Sequence, residues 1–88
     1  MNIKILGTGC AKCQELEKTV REVVKELQID ATVEKVSDMG KILEYPILIT
    51  PGLVIDEELV TTGKVPARAD MVKFIMNAMD KREKENSK

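Results

Sequence analysis

The chain has 88 residues, room for one domain around a single small core. Its 43% apolar content suits a folded globular domain rather than a disordered segment. A net charge of −1, from 14 basic and 15 acidic residues, with Tyr45 and Phe74 the only aromatics, excludes both a general polyanion binder and a base-stacking surface for single-stranded nucleic acid.

The first element is the stretch NIKIL, residues 2–6, a β-rich run that ends at Gly7 and Gly9. It reads as a strand, not as the charged start of a secretory signal, and no apolar run is long enough to span a bilayer. The expected location is therefore the cytoplasm, with no membrane partner. A helix is predicted from near Cys10 to about Leu27, because Cys13, Leu16, Val20, Val23, Val24 and Leu27 recur at three- and four-residue steps. Its other face is charged, and Glu17 and Arg21 are spaced for an ion pair one turn apart. ATVEKV, residues 31–36, alternates as a short second strand. Ser37 or Asp38 then offers a cap for a short second helix with Met39, Ile42 and Leu43 as its apolar face.

Pro46 and Pro51 bracket ILIT, residues 47–50, a connection that cannot continue a helix. GLVI (52–55) and LVTT (59–62) are predicted to form a hairpin with a three-residue turn of Asp56, Glu57 and Glu58. The chain breaks again between Gly63 and Pro66. A third helix is predicted from Ala67 to about Met79, with Met71, Val72, Ile75, Met76, Ala78 and Met79 on one broad face read as core filling. One domain over residues 1–80 is expected, followed by a fraying polar tail, 81–88. The order β-α-β-α-β-β-α implies an α/β fold. Two parallel strands are joined by a right-handed crossover, and the hairpin makes the four-stranded sheet mixed, with helices on its faces.

Cys10 and Cys13 are the only cysteines, and the chain has no histidine. In a reducing compartment such a pair is more often catalytic or metal-binding than a structural staple. The strand delivers the chain through a glycine loop to a helix start, where unpaired backbone N–H groups and the helix dipole favour a thiolate at Cys10. Lys12 adds a neighbouring positive charge. Cys13 falls one turn later on the apolar face, about 5–6 Å away between Cβ atoms, so a small rotamer change brings the sulfurs together. Cys10 is thus the expected nucleophile and Cys13 the shielded resolving thiol. The alternatives are two small apolar fillers, or a CxxC metal module for Cu(I) or a zinc ion shared between chains.

Three segments, GTGCAKC (7–13), TPGLVID (50–56) and TGKVP (62–66), together resemble the thioredoxin/glutaredoxin-like superfamily, and within it the small prokaryotic thioredoxin-like proteins. The resemblance covers roughly residues 2–79 and implies a minimal thioredoxin-like fold and a thiol-disulfide oxidoreductase. It implies a Thr50–Pro51 bond in cis, and substrate contacts at Thr8, Thr50, Pro51 and Gly63. It also implies a monomer that reduces protein disulfides and is recharged by a reductase donor, with no cofactor beyond the Cys10–Cys13 disulfide. Thioredoxins carry Trp before the first cysteine and Gly-Pro between the two; here Gly9 and Ala11-Lys12 stand there. NIKIL holds no acid to serve as the proton acceptor for Cys13.

Overall fold

Strand β1, Asn2–Leu6, lies near the centre of the sheet because its side chains are apolar on both faces: Ile3, Ile5 and Leu6 are all fully buried. The protein was analysed as a computed structural model that describes residues 1–47 and 49–86, with side chains as far as Lys81. Helix α1, Ala11–Glu26, carries the chain from β1 to β2, Thr32–Val36, which pairs with β1 in parallel from Asn2↔Thr32 to Leu6↔Val36. Helix α2, Met39–Ile42, follows, and the segment after it leads to β3, Gly52–Ile55, and β4, Glu58–Thr62. Helix α3, Arg68–Asn86, comes last. The strand order is β2-β1-β3-β4, with β3 antiparallel to both its neighbours, so the α/β fold is the minimal thioredoxin-like one with a mixed four-stranded sheet.

Strand alternation sorts the core into two layers. Ile3, Ile5, Leu53 and Ile55 face Leu16, Val20 and Val23 of α1 and Met71 and Ile75 of α3. Leu6, Val36 and Val54 face the other way, onto Ile42 and Ile47. Among the described residues no helix is long and apolar enough to cross a membrane.

Four expectations are corrected. The hairpin turn has two residues, Asp56 and Glu57, since Glu58 already pairs with Ile55. Both turn residues have positive φ, 49° and 69°, the combination a type I′ hairpin turn requires and one that Asn-Gly would adopt more readily. Tertiary bonds hold it: Asp56 Oδ1 accepts the Asn2 N–H at 2.8 Å, and the Glu57 carboxylate accepts from Lys4 Nζ at 2.8 Å and the Tyr45 hydroxyl at 3.0 Å. In α2 only Ile42 is buried. Met39 and Leu43 are exposed, because so short a helix presents a single side chain to the sheet. Among the described side chains of α3, as far as Lys81, the buried stripe is Met71 and Ile75 alone. Val72 and Ala78 pack at its margin, while Met76 and Met79 are exposed and fill no core. That helix also runs past Met79 to Asn86, through strong helix formers without a glycine or proline to stop it. Of the connection between Pro46 and Pro51, Leu48 lies outside the described residues, as do Ser87 and Lys88 of the tail.

Lys4, Tyr45 and Glu57 link β1, the end of the second helical segment and the hairpin turn. Lys4 Nζ also donates to the Tyr45 hydroxyl, at 3.1 Å. The bond from Lys4 holds the Glu57 carboxyl below its ordinary value of 4.5, and the bond to Glu57 raises Lys4 above the usual lysine range. A depressed carboxyl stabilises the fold above its unfolded value, and that contribution is lost as pH falls through the folded one. The lysine contribution is lost only in strong alkali. Glu57→Gln is therefore expected to flatten the acid limb of the urea-midpoint profile below pH 4.5. An unchanged acid limb would show that the carboxylate is not held by this contact.

Candidate active site

One end of the sheet gathers three loops. The ladder of β1 and β2 continues one residue beyond the strands, where the Gly7 N–H donates to Val36 O at 2.9 Å. On the other side Leu6 pairs with Gly52, which brings Gly7 level with Pro51. Gly52 in turn pairs with Thr62, and the Gly63 N–H donates to Pro51 O at 2.8 Å. The loops before Cys10, before β3 and after β4 thus share this edge. The Thr50–Pro51 bond is cis. Pro51 is buried, Thr50 and Gly63 are half-buried, and Thr8 is exposed. Gly63, at φ +74°, lies under the exposed Ile49; a side chain there would approach Ile49 Cγ2 to 3.2 Å.

Cys10 caps helix α1. Its backbone is extended, φ −67° and ψ 168°, and its Sγ accepts the Cys13 N–H at 3.4 Å, the place a serine or aspartate oxygen takes in an ordinary cap. The first turn of α1 contains no acidic residue to compete with a thiolate for the helix dipole. Gly9 has φ +93°, a turn that favours glycine, and its carbonyl accepts from Gln14 Nε2 at 3.1 Å. Cys13 lies one turn on and is 1% exposed, whereas Cys10 is exposed.

The sulfurs are 2.6 Å apart, both as thiols. Their environments push the two thiols in opposite directions. The Cys13 side-chain hydrogen bond, then the Cys13 and Lys12 backbone N–H groups, hold Cys10 below the ordinary cysteine value. Burial, then the hydrogen bond to Cys10, pushes Cys13 up. This is the division of labour that a nucleophile and a waiting resolver need. The nearby part of Lys12 is its backbone N–H; its side chain points into solvent. Cys10 should accordingly alkylate with iodoacetamide at neutral pH well before Cys13, read by mass after partial labelling. Equal rates, or a faster Cys13, would contradict the assignment.

Two residues near the dithiol escaped the sequence reading. Gly7 leaves the space against which Cys13 packs, and Gln14 clasps the Gly9 carbonyl. The glycine was visible as the end of a strand and the start of GTGCAKC, with no role of its own. Nothing in the spacing of Gln14 marks it.

Residues 1–76 match the family described as thioredoxin domain. A thioredoxin of Methanothermobacter thermautotrophicus is 49% identical over 75 residues, covering 85% of this chain and 97% of that protein. A thioredoxin of Methanocaldococcus jannaschii is 43% identical over 65 residues, 74% of each chain. The metal-carrying alternative finds no support, since the matching family and both relatives are thioredoxins.

Proposed function

The chain belongs to the thioredoxin domain family and is a thioredoxin-like thiol-disulfide oxidoreductase, and from that premise we propose that it reduces protein disulfides through Cys10 and Cys13. The Cys10 thiolate attacks one sulfur of a substrate disulfide. That S–S bond breaks, a Cys10–substrate bond forms, and the other substrate sulfur leaves as a thiolate. Cys13 then gives up its proton, for which the departing thiolate is a ready base, and attacks Cys10 Sγ. The Cys10–Cys13 bond forms and the second substrate sulfur leaves. Two electrons and the Cys13 proton have passed from the protein to the substrate, the second substrate thiolate takes its proton from water, and a reductase donor returns the electrons in a later encounter. The observation that carries this reading is the exposed, low-pKa Cys10 in contact with the buried, high-pKa Cys13.

Thr8, Thr50 and Gly63 border the surface a substrate strand would lie on, with Pro51 beneath it; their shared edge with the dithiol supports that role. The Lys12 ammonium adds a favourable charge over water to the Cys10 thiolate, so Lys12→Glu moves the Cys10 pKa upward. The protein works as a monomer in a reducing cytoplasm, with the dithiol itself as its redox group.

The test is equilibration of the pure protein in glutathione buffers, with the disulfide fraction read by mass, beside insulin reduction with dithiothreitol as donor. The expected result is a reversible monomeric disulfide and accelerated insulin reduction. An oxidised monomer that still carries two alkylatable thiols would overturn the proposal.

A further inference from the structure

We infer that Gly7 is a positioning residue of the dithiol: the Cys13 sulfur occupies the space a side chain at residue 7 would fill, and the sheet-anchored backbone behind it holds that sulfur against Cys10. The inference rests on the reading of Cys10 and Cys13 as a redox pair.

The geometry leaves little freedom. A Cβ built at Gly7 collides with Cys13 Sγ and comes within 3.1 Å of Cys13 Cβ. Gly7 is not there for an unusual backbone conformation; of the two glycines in this loop only Gly9 has a positive φ. The requirement at residue 7 is close approach. The backbone at Gly7 has no easy retreat, because its N–H is bonded to Val36 O and Leu6 before it is paired with both Val36 and Gly52. Cys13 cannot back away with its helix either, since Leu16 and Val20 anchor α1 in the core at 0% exposure. An added methyl group must therefore turn the Cys13 sulfur out of the rotamer in which it meets Cys10 Sγ. The sulfurs' 2.6 Å approach is then lost.

The consequence falls on the second step of exchange. Cys10 stays exposed at its helix cap and can still attack an external disulfide. Cys13 has to reach Cys10 Sγ from a displaced rotamer, so ring closure slows and the intramolecular disulfide weakens. A residue that merely kept the loop folded would lower both steps together.

Gly7→Ala is the test, measured in glutathione buffers and by iodoacetamide labelling of Cys10 at a pH where it is fully ionised. The equilibrium constant for the Cys10–Cys13 disulfide should fall about tenfold or more, while the labelling rate changes by less than about threefold, the pattern overpacking at one contact produces. A second measurement keeps the result interpretable if Gly7→Ala folds poorly. Stability is compared in a double-mutant cycle with Cys13→Ala, where the sulfur is gone and the added methyl meets only Cβ. The loss caused by Gly7→Ala should shrink by at least about half in that background, and recovery of folding there counts equally in favour. A disulfide constant within about twofold of the parent, or the same stability loss in both backgrounds, failure of both to fold included, overturns the inference. A parent protein that forms no disulfide at all would sink the redox reading instead, and the cycle would still report on the packing.

Discussion

Replacing Cys13 with serine is expected to leave a protein that opens a substrate disulfide and then stays attached to it. Cys10 keeps its exposure, its cap position and its backbone N–H donors, so the first attack proceeds. The serine hydroxyl is far too weak a nucleophile to displace the substrate sulfur. Release then depends on an external thiol, and the advantage of a thiol already held in place is lost. Turnover should fall on the order of a hundredfold or more, given what preorganised intramolecular attack contributes. The covalent Cys10–substrate species should be visible by mass under non-reducing conditions. Cys10→Ser should be inactive without any trapped species, because Cys13 is buried and cannot meet a protein substrate. Full insulin-reducing activity in Cys13→Ser would mean a single-thiol mechanism and would remove the role assigned to Cys13.

The other large effect is on stability. Leu16 sits one turn beyond Cys13, is 0% exposed, and lies in the larger core layer with Ile5, Val20 and Leu53. Leu16→Ala removes three heavy atoms from a site walled by the sheet, at a cost of about 2–5 kcal/mol. A domain of this length has roughly 4–13 kcal/mol in total, so the variant is expected to lose a large share of its stability and to unfold at a much lower urea concentration. Met76→Ala, on the exposed side of α3, should stay within about half a kcal/mol of the parent. Urea midpoints at unchanged m-value distinguish the two. Leu16→Ala should also expose Cys13 to native-state alkylation by loosening the start of α1. A Leu16→Ala loss as small as that of Met76→Ala would show that α1 is not anchored by this stripe.

The sequence was most legible where a period repeats long enough to leave no choice. Helix α1 shows its apolar stripe over four turns; of the six residues the spacing selects, Cys13, Leu16, Val20 and Val23 are buried, Val24 packs at the margin, and Leu27, just past the helix end, is exposed. β3 was legible as an uninterrupted apolar run, which suits a strand covered on both faces, and β1 as an aliphatic run broken only by Lys4. Short elements were read less well. Met39 and Leu43 share a helical face with Ile42 on paper, yet a four-residue helix seats only one of them. Asp56 and Glu57 carry no signal for a two-residue turn, since the bonds that hold them come from Asn2, Lys4 and Tyr45, far off in the chain. The site divides the same way. Cys10 and Cys13 are legible because their relation is local, three residues on a helix. Thr50, Pro51 and Gly63 entered through family resemblance, and their place beside the dithiol depends on strand register. The part of Gly7 was hidden because it is defined by what it lacks, against a sulfur six residues on.

Strand order also sets a timetable for the growing polypeptide. β1 is made before β2, and β2 before β3, yet β1 lies between the two in the sheet. The β1–α1–β2 unit can assemble as soon as Val36 is free, but one flank of β1 has no neighbour until residues 52–55 have been synthesised. At typical translation rates of about 5–20 residues per second, that gap lasts on the order of one to a few seconds. During it Ile3, Ile5 and Leu6 lack the cover of Leu53, Val54 and Ile55, and the nascent chain carries a ready dithiol on a half-built sheet. The hairpin that closes the sheet also delivers Thr50, Pro51 and Gly63 to the dithiol's edge. The surface beside Cys10 is therefore completed in the same event that completes the core.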